Sequence, residues 1–247
     1  MRTLAKAAVV FVAAFAGGAA VSHAADIPYE PIIEAPEVIP LPAVGGWYLR
    51  GDIGYKVYQD PRITLADPAA GTASGESINN TGMVGVGVGY KFNDYFRADL
   101  TGDYEFRSTM KVTNTCAACG TPVITANTKF SAFTTLVNAY ADLGTYSGIT
   151  PYLGAGIGAS YLKTSNVNTS IGPAGSGDGK WNFAWALMAG ASYDITDRLA
   201  LDVNYRYLNL GEASLGTVTT QCGCTTTAKT DKIDAHEIRV GLRYSMY

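Results

Sequence analysis

Histidine is nearly missing from this chain: there are two in 247 residues, His23 and His236. A haem site or a multi-histidine zinc centre therefore has too few imidazoles to form. Long apolar runs are equally scarce. One Ala/Val/Phe stretch reaches to about Ala20, and no second run follows to build a bundle of membrane helices. A surplus of one charge is absent too, with 18 Lys and Arg against 21 Asp and Glu. So mild a balance gives no reason to expect nucleic acid as a partner.

What is present begins at the N-terminus. Met1, Arg2 and Lys6 precede the apolar stretch, and Ser22-His23-Ala24 closes it with small residues two apart. This pattern predicts a signal peptide over 1–24, cut after Ala24. No Cys follows the cut, which argues against a lipidated N-terminus. Cleavage removes Arg2 and Lys6, moving the charge from 18 − 21 = −3 to 16 − 21 = −5, and leaves His236 as the remaining histidine. The segment 25–45 contains Pro28, Pro31, Pro36, Pro40 and Pro42 with Glu30, Glu34 and Glu37. So many prolines forbid a helix or central strand, so it reads as an extended periplasmic linker.

From 46 to 247 the chain alternates. Trp181, Phe183, Trp185, Leu187, Ala189, Ala191 and Tyr193 fall on one face, with Asn182, Ala184, Ala186, Met188, Gly190, Ser192 and Asp194 between them. Leu199 to Tyr207 repeats the two-residue period against Arg198, Asp202, Asn204 and Arg206. Rings end the apolar face and aliphatics fill its middle, as in a strand that crosses a bilayer. Eight such strands are predicted: 46–58, about 82–92, 96–106, about 129–143, 149–162, 181–194, 198–208 and 234–247. In the fourth, Leu136 and Tyr140 share the face of Asn138 and Asp142, which makes it the least regular.

The connections alternate in length. Segments of about twenty residues (60–81, 107–127, 163–180 and 209–232) read as loops, and Asn93-Asp94, 144–148 and 195–197 read as tight turns. The expected fold is all-β: an eight-stranded antiparallel up-and-down transmembrane barrel with four long extracellular loops and three short periplasmic turns. Soluble sandwiches also have many short strands, but they do not usually place rings at both ends of nearly every apolar face.

The block Gly46-Trp47-Tyr48-Leu49-Arg50-Gly51-Asp52-Ile53-Gly54-Tyr55, with Arg239-Val240-Gly241-Leu242-Arg243-Tyr244 near the C-terminus, resembles the small opacity-protein-like outer-membrane proteins of alphaproteobacteria, relatives of the OmpA transmembrane barrel. The resemblance spans about Gly46 to Tyr247. It implies export to the bacterial outer membrane and contact with outer-membrane lipids and lipopolysaccharide. It also implies help from the barrel-assembly machinery and surface loops able to meet a host or extracellular ligand. Family members contribute to envelope integrity, host interaction or hemin binding, and no peptidoglycan-binding domain like that of full-length OmpA is expected here. The last strand also resembles the outer-membrane sorting signal, with Met246 in phase after Tyr244 and Tyr247 one residue out of phase.

Alternation directs Arg50, Lys56, Lys91, Arg97, Arg198, Arg206, Arg239 and Arg243 inward, with Asp52, Asp99, Asp103, Glu105, Asp142, Asp194, Asp202 and Glu237. An eight-stranded barrel has an interior just wide enough for side chains to fill. Unpaired charges there are costly, so the expectation is an ion-pair network that plugs the lumen. The Gly85-Gly87-Gly89 and Gly154-Gly156-Gly158 runs precede no helix. They therefore read as room for large opposing side chains, not as phosphate loops.

Cys116 and Cys119 fall in the second loop and Cys222 and Cys224 in the fourth. Four thiolates could hold zinc, but export to an oxidising compartment favours disulfides. Cross-loop pairing is preferred, with local Cys116–Cys119 closure as the alternative. His236 faces lipid by parity, Glu237 beside it faces inward, and nothing in the sequence fixes Ser214 near either. No hydrolytic triad, catalytic residue, metal or cofactor is expected. The reading is a non-enzymatic outer-membrane barrel that supports the envelope and presents surface loops. The alternatives are a small low-conductance porin and a surface adhesin or hemin binder.

Overall fold

The computed structural model describes residues 45–67, 72–115, 124–169, 172–175, 177–219 and 225–246. The expected signal peptide, nearly all of the expected linker and all four cysteines lie outside them.

Among the described residues there are thirteen strands: β1 (Gly46–Tyr58), β2 (Ile63–Leu65), β3 (Thr72–Ile78), β4 (Thr81–Lys91), β5 (Phe96–Glu105), β6 (Ser108–Thr115), β7 (Ile124–Asp142), β8 (Ile149–Thr164), β9 (Val167–Thr169), β10 (Gly172–Gly175), β11 (Gly179–Asp194), β12 (Leu199–Thr219) and β13 (Thr225–Ser245). Eight of them, β1, β4, β5, β7, β8, β11, β12 and β13, pair antiparallel in that order. The ring closes where β13 pairs back to β1, from Tyr48↔Ser245 to Tyr58↔Ala235. Closure leaves no open edge, which a lipid environment demands because it offers no partner for unpaired backbone groups.

Three tight connections lie at one end, each with its own chemistry. Asn93 Oδ1 accepts the N–H groups of Tyr95 and Phe96 at 2.9 and 2.8 Å. Thr196 Oγ1 accepts those of Arg198 and Leu199 at 3.3 and 3.0 Å. The third turn needs left-handed backbone, supplied by Ser147 (φ 52) and Gly148 (φ 82).

The other end departs from the sequence reading. Instead of four irregular loops, the strands run on. β12 continues past Leu208 to Thr219, and β13 begins at Thr225 instead of Asp234. β7 begins at Ile124 instead of Lys129, paired there with β6. β2 adds to β13, and β3 to β6. These extensions are rich in Ser and Thr, which suit strands but carry no apolar stripe to announce one. A register shift between Asn209 and Glu212, with Gly211 at φ 79, marks where β12 resumes in new register.

The outward face is apolar and exposed around the ring, with Leu49, Ile53, Val86, Leu100, Val137, Ile157, Leu187, Val203, Ile238 and Val240 in its middle. Rings border it. Trp47, Tyr90 and Phe92 stack edge-on near the turns, at 5.4 and 5.2 Å between centroids. Near the opposite end Tyr104 meets Phe106 edge-on at 6.0 Å, and Tyr161 meets Trp181 in a tilted contact at 5.1 Å. Such pairs add about 0.5–1.5 kcal/mol each beyond area burial.

Candidate functional site in the barrel interior

The interior is layered. At its middle lie five buried cations, Arg50, Lys56, Arg97, Arg206 and Arg239, with seven buried carboxylates, Asp52, Asp99, Asp103, Glu105, Asp142, Asp202 and Glu237. Arg206 Nη1 on β12 donates to Asp103 Oδ2 on β5 at 2.7 Å. Those strands are four apart in the ring of eight, so this bond spans the full lumen. Arg239 donates to both oxygens of Asp103 at 2.8 and 2.9 Å and to Asp52 at 3.2 Å, and lies 3.5 Å from Glu237. Arg50 holds Asp52 through two bonds at 2.8 and 3.0 Å and reaches Asp99 at 3.1 Å. Lys56 contacts Glu105 and lies 2.8 Å from Glu237.

Carboxylates outnumber cations here, and tyrosines make up the difference. The Tyr48 hydroxyl donates to Asp99 at 3.1 Å, and that of Tyr152 to Asp202 at 2.5 Å. Tyr58 donates to Glu105. Tyr140 accepts from Arg50 at 3.0 Å and donates to Asp99 at 3.3 Å. Arg97 is held between two rings, with its guanidinium carbon 4.1 Å from the Tyr140 centroid and 4.4 Å from that of Tyr152. Its Nε bonds Asp142 at 3.1 and 3.2 Å. A guanidinium suits this slot because its flat face stacks on both rings while Nε donates at its edge. The tyrosines were the functional residues least visible in the sequence. Parity placed Tyr48 and Tyr140 on the polar face, but nothing in the alternation distinguishes a clamp from a stray ring.

Three expected members lie elsewhere. Lys91 pairs with Asp94 at 2.9 Å near the turns, with its side chain about a third exposed. Asp194 and Arg198 are exposed on either side of the 195–197 turn. Parity gives the face of a strand residue but not its depth, and these three stand at strand ends where the interior opens. Together with Tyr48, Arg97 and Asp142 they line a cavity of about 590 Å³ at the turn end. Arg243 is intermediate: half-buried, it donates to Ser192 at 3.1 Å and lies 3.9 Å from Asp202.

Beyond the charges, toward the opposite end, the interior becomes apolar. Tyr58, Ile78, Met110, Phe130, Leu162, Leu208, Leu210 and Ile233 form one buried cluster. Tyr58 meets Phe130 edge-on at 5.8 Å across the lumen.

Inward glycines admit these side chains. A Cβ on Gly85 would stand 2.1 Å from Asp103 Oδ1 and 2.7 Å from Arg239 Nη2, and one on Gly89 would stand 2.2 Å from the Tyr48 ring.

His236 sits in the ring border at the outer wall. Its Nδ1 pairs with the Tyr205 hydroxyl at 2.5 Å and its Nε2 with the Gln59 amide at 2.7 Å. Ser214 pairs with Lys229, whereas His236 pairs with Tyr207. Seven residues of strand separate Ser214 from Tyr207, roughly 20 Å.

The family described as the outer membrane protein beta-barrel domain matches residues 11–245. An uncharacterised protein of Brucella abortus is 38% identical over 267 residues, covering 90% of this chain and 92% of its own. The outer membrane protein PagN of Salmonella typhimurium is 34% identical over 140 residues, 53% of this chain and 58% of its own. In solved structures, the outer membrane protein OprG of Pseudomonas aeruginosa aligns with a TM-score of 0.54 at 15% identity, covering 83% of this chain and 97% of that one. A closed eight-stranded ring with a lipid-suited wall and a family match over nearly its whole length leave one assignment: the chain belongs to the outer-membrane β-barrel protein family and resides in the bacterial outer membrane.

Proposed function

We propose that this is a closed, non-catalytic envelope barrel that acts through its outer end and not through its lumen. The Arg206–Asp103 bond carries the reading, because it joins opposite walls of the ring at 2.7 Å. The apolar cluster beyond it adds a second obstruction, since a packed apolar layer opposes the passage of hydrated ions. The turn-end cavity favours the alternative of a low-conductance pore. Yet its lining includes Tyr48, Arg97 and Arg243 but none of Asp103, Arg206 or Arg239. Purified protein in planar bilayers is expected to give no stable single-channel steps. Reproducible porin-sized steps would overturn the proposal.

His236 has both ring nitrogens engaged by Tyr205 and Gln59, which suits a wall residue and leaves no free base for a nucleophile. The strands that continue past the ring border supply a stiff platform for contact with molecules outside the cell. The orientation follows from the same reading. An epitope tag at Gly177 is expected to be labelled on intact cells, and one at Asp197 only after the outer membrane is opened. The opposite labelling would invert the arrangement.

A further inference from the structure

The charged groups beyond the outer ring border are not spread evenly. On the β6–β7–β8 wall, a cleft of about 620 Å³ is lined by Arg107, Lys129 and Lys163, with Thr109, Asn127 and Ser165 among its other walls. No carboxylate lines it, and among the described residues none of these three cations has an ion-pair partner. Glu105, two residues before Arg107, is buried in the lumen on Lys56, and the Asp178 carboxylate accepts the Gly179 N–H at 2.7 Å. On the β12–β13–β1 side, a cleft of about 400 Å³ is lined by Asp60, Glu212, Asp231 and Asp234 against Arg62 and Lys232. One side therefore presents three cations and no acid, the other two cations and four acids. The undescribed segments at this end (68–71, 116–123, 170–171, 176 and 220–224) contain no Asp, Glu, Lys or Arg to alter the contrast.

Position along the strands says what would meet the basic cleft. On β8, the outward Tyr161 is followed two residues later by the outward Lys163. On β7, the exposed Phe133 and Lys129 share the outward face, four residues apart. Arg107 directly follows the exposed Phe106. Arg107 and Lys163 thus lie one and two residues beyond a ring that marks the edge of the hydrocarbon, and Lys129 about 13 Å beyond its own, across the depth of the lipid headgroups. Ser165 and Asn166, between β8 and β9, also line the cleft.

We propose that Arg107, Lys129 and Lys163 form a binding site for a phosphorylated headgroup of an outer-leaflet lipid. Arg107 supplies a planar fork for phosphate oxygens and the two lysines supply point charges, on one side of the barrel only. The proposal does not depend on whether the lumen conducts, so conductance and lipid retention test separate readings.

The test compares wild type with the triple variant Arg107→Ala/Lys129→Ala/Lys163→Ala and the control Lys229→Ala/Lys232→Ala, each shown to be folded by heat-dependent gel mobility. Retention of bisphosphorylated lipid A in detergent micelles is measured alongside dephosphorylated lipid A, with inorganic phosphate as competitor. The triple variant is expected to lose about tenfold or more in affinity, as three exposed charge contacts of up to about 1 kcal/mol each imply. The control should match wild type, and dephosphorylated lipid should bind all three proteins equally. Equal retention by the triple variant, or an equal loss in the control, would overturn the site. Full displacement by inorganic phosphate at the lipid's own concentration would overturn the assignment to a lipid.

Discussion

Replacing Arg239 with alanine is expected to lower the unfolding free energy by about 3–5 kcal/mol, because it removes the cation that three buried carboxylates share from an interior where carboxylates already outnumber cations seven to five. Arg239 contacts three of them, Asp52, Asp103 and Glu237, and its own side chain is wholly buried. Arg206→Ala should cost less, about 1–3 kcal/mol. Its main partner Asp103 keeps the two bonds from Arg239, and its second, Glu237, keeps Lys56. The larger effect falls on Arg239 because it reaches three carboxylates, whereas Arg206 makes a single hydrogen bond, to Asp103. Urea titration of both variants in the same lipid or detergent would rank them. An Arg239→Ala barrel within about 1 kcal/mol of wild type, the size of an ordinary substitution, would mean that the network contributes little to stability.

The second large effect is steric. Gly158→Val is expected to cost about 3 kcal/mol or more, at the top of the usual range for overpacking. A Cβ there would lie 2.0 Å from the backbone oxygen of Thr135 and 2.9 Å from the Leu136 Cα. Backbone cannot swing aside as a side-chain end can, so β7 and β8 would have to part. Gly51→Val is the matched control, because a Cβ at Gly51 meets nothing within 4 Å. It should change stability by about 0.5 kcal/mol or less. Similar losses at both positions would show that strand entropy, not interior space, governs these glycines.

The contrast between Gly51 and Gly158 also shows what a sequence can convey. Both follow from alternation, which assigns one to lipid and the other to the lumen. Strand order, the face of each residue and the polarity of the interior were legible because a period of two leaves no third choice of side. Depth was not. Lys91, Asp194 and Arg198 share the inward phase with Arg206, yet they stand where the lumen widens into the cavity at the turns. Nor could β12 be followed past Leu208. Its continuation, with Gly211 and a run of small residues, lacks the large outward side chains that lipid imposes, so composition there resembles a loop. The network's pairing was beyond reach as well. Asp103 meets Arg206 and Arg239 only once the ring has closed, from positions 103 and 136 residues away along the chain.

That separation, together with the pairing of β1 to β13, sets a timetable. Neighbouring strands such as β4 and β5 can form a hairpin as soon as both exist, with a turn of a few residues between them. The seam between Arg50 and Arg243 cannot, because it joins segments almost two hundred residues apart. Sealing the wall before the seven other pairings exist would confine that whole length of chain at once, so the seam is favoured only after they have formed. Until it happens, two bare strand edges and an array of unmatched charges face the membrane together. The nascent barrel is thus most vulnerable just before completion, and whatever conveys it to the bilayer must shield both edges until β13 arrives.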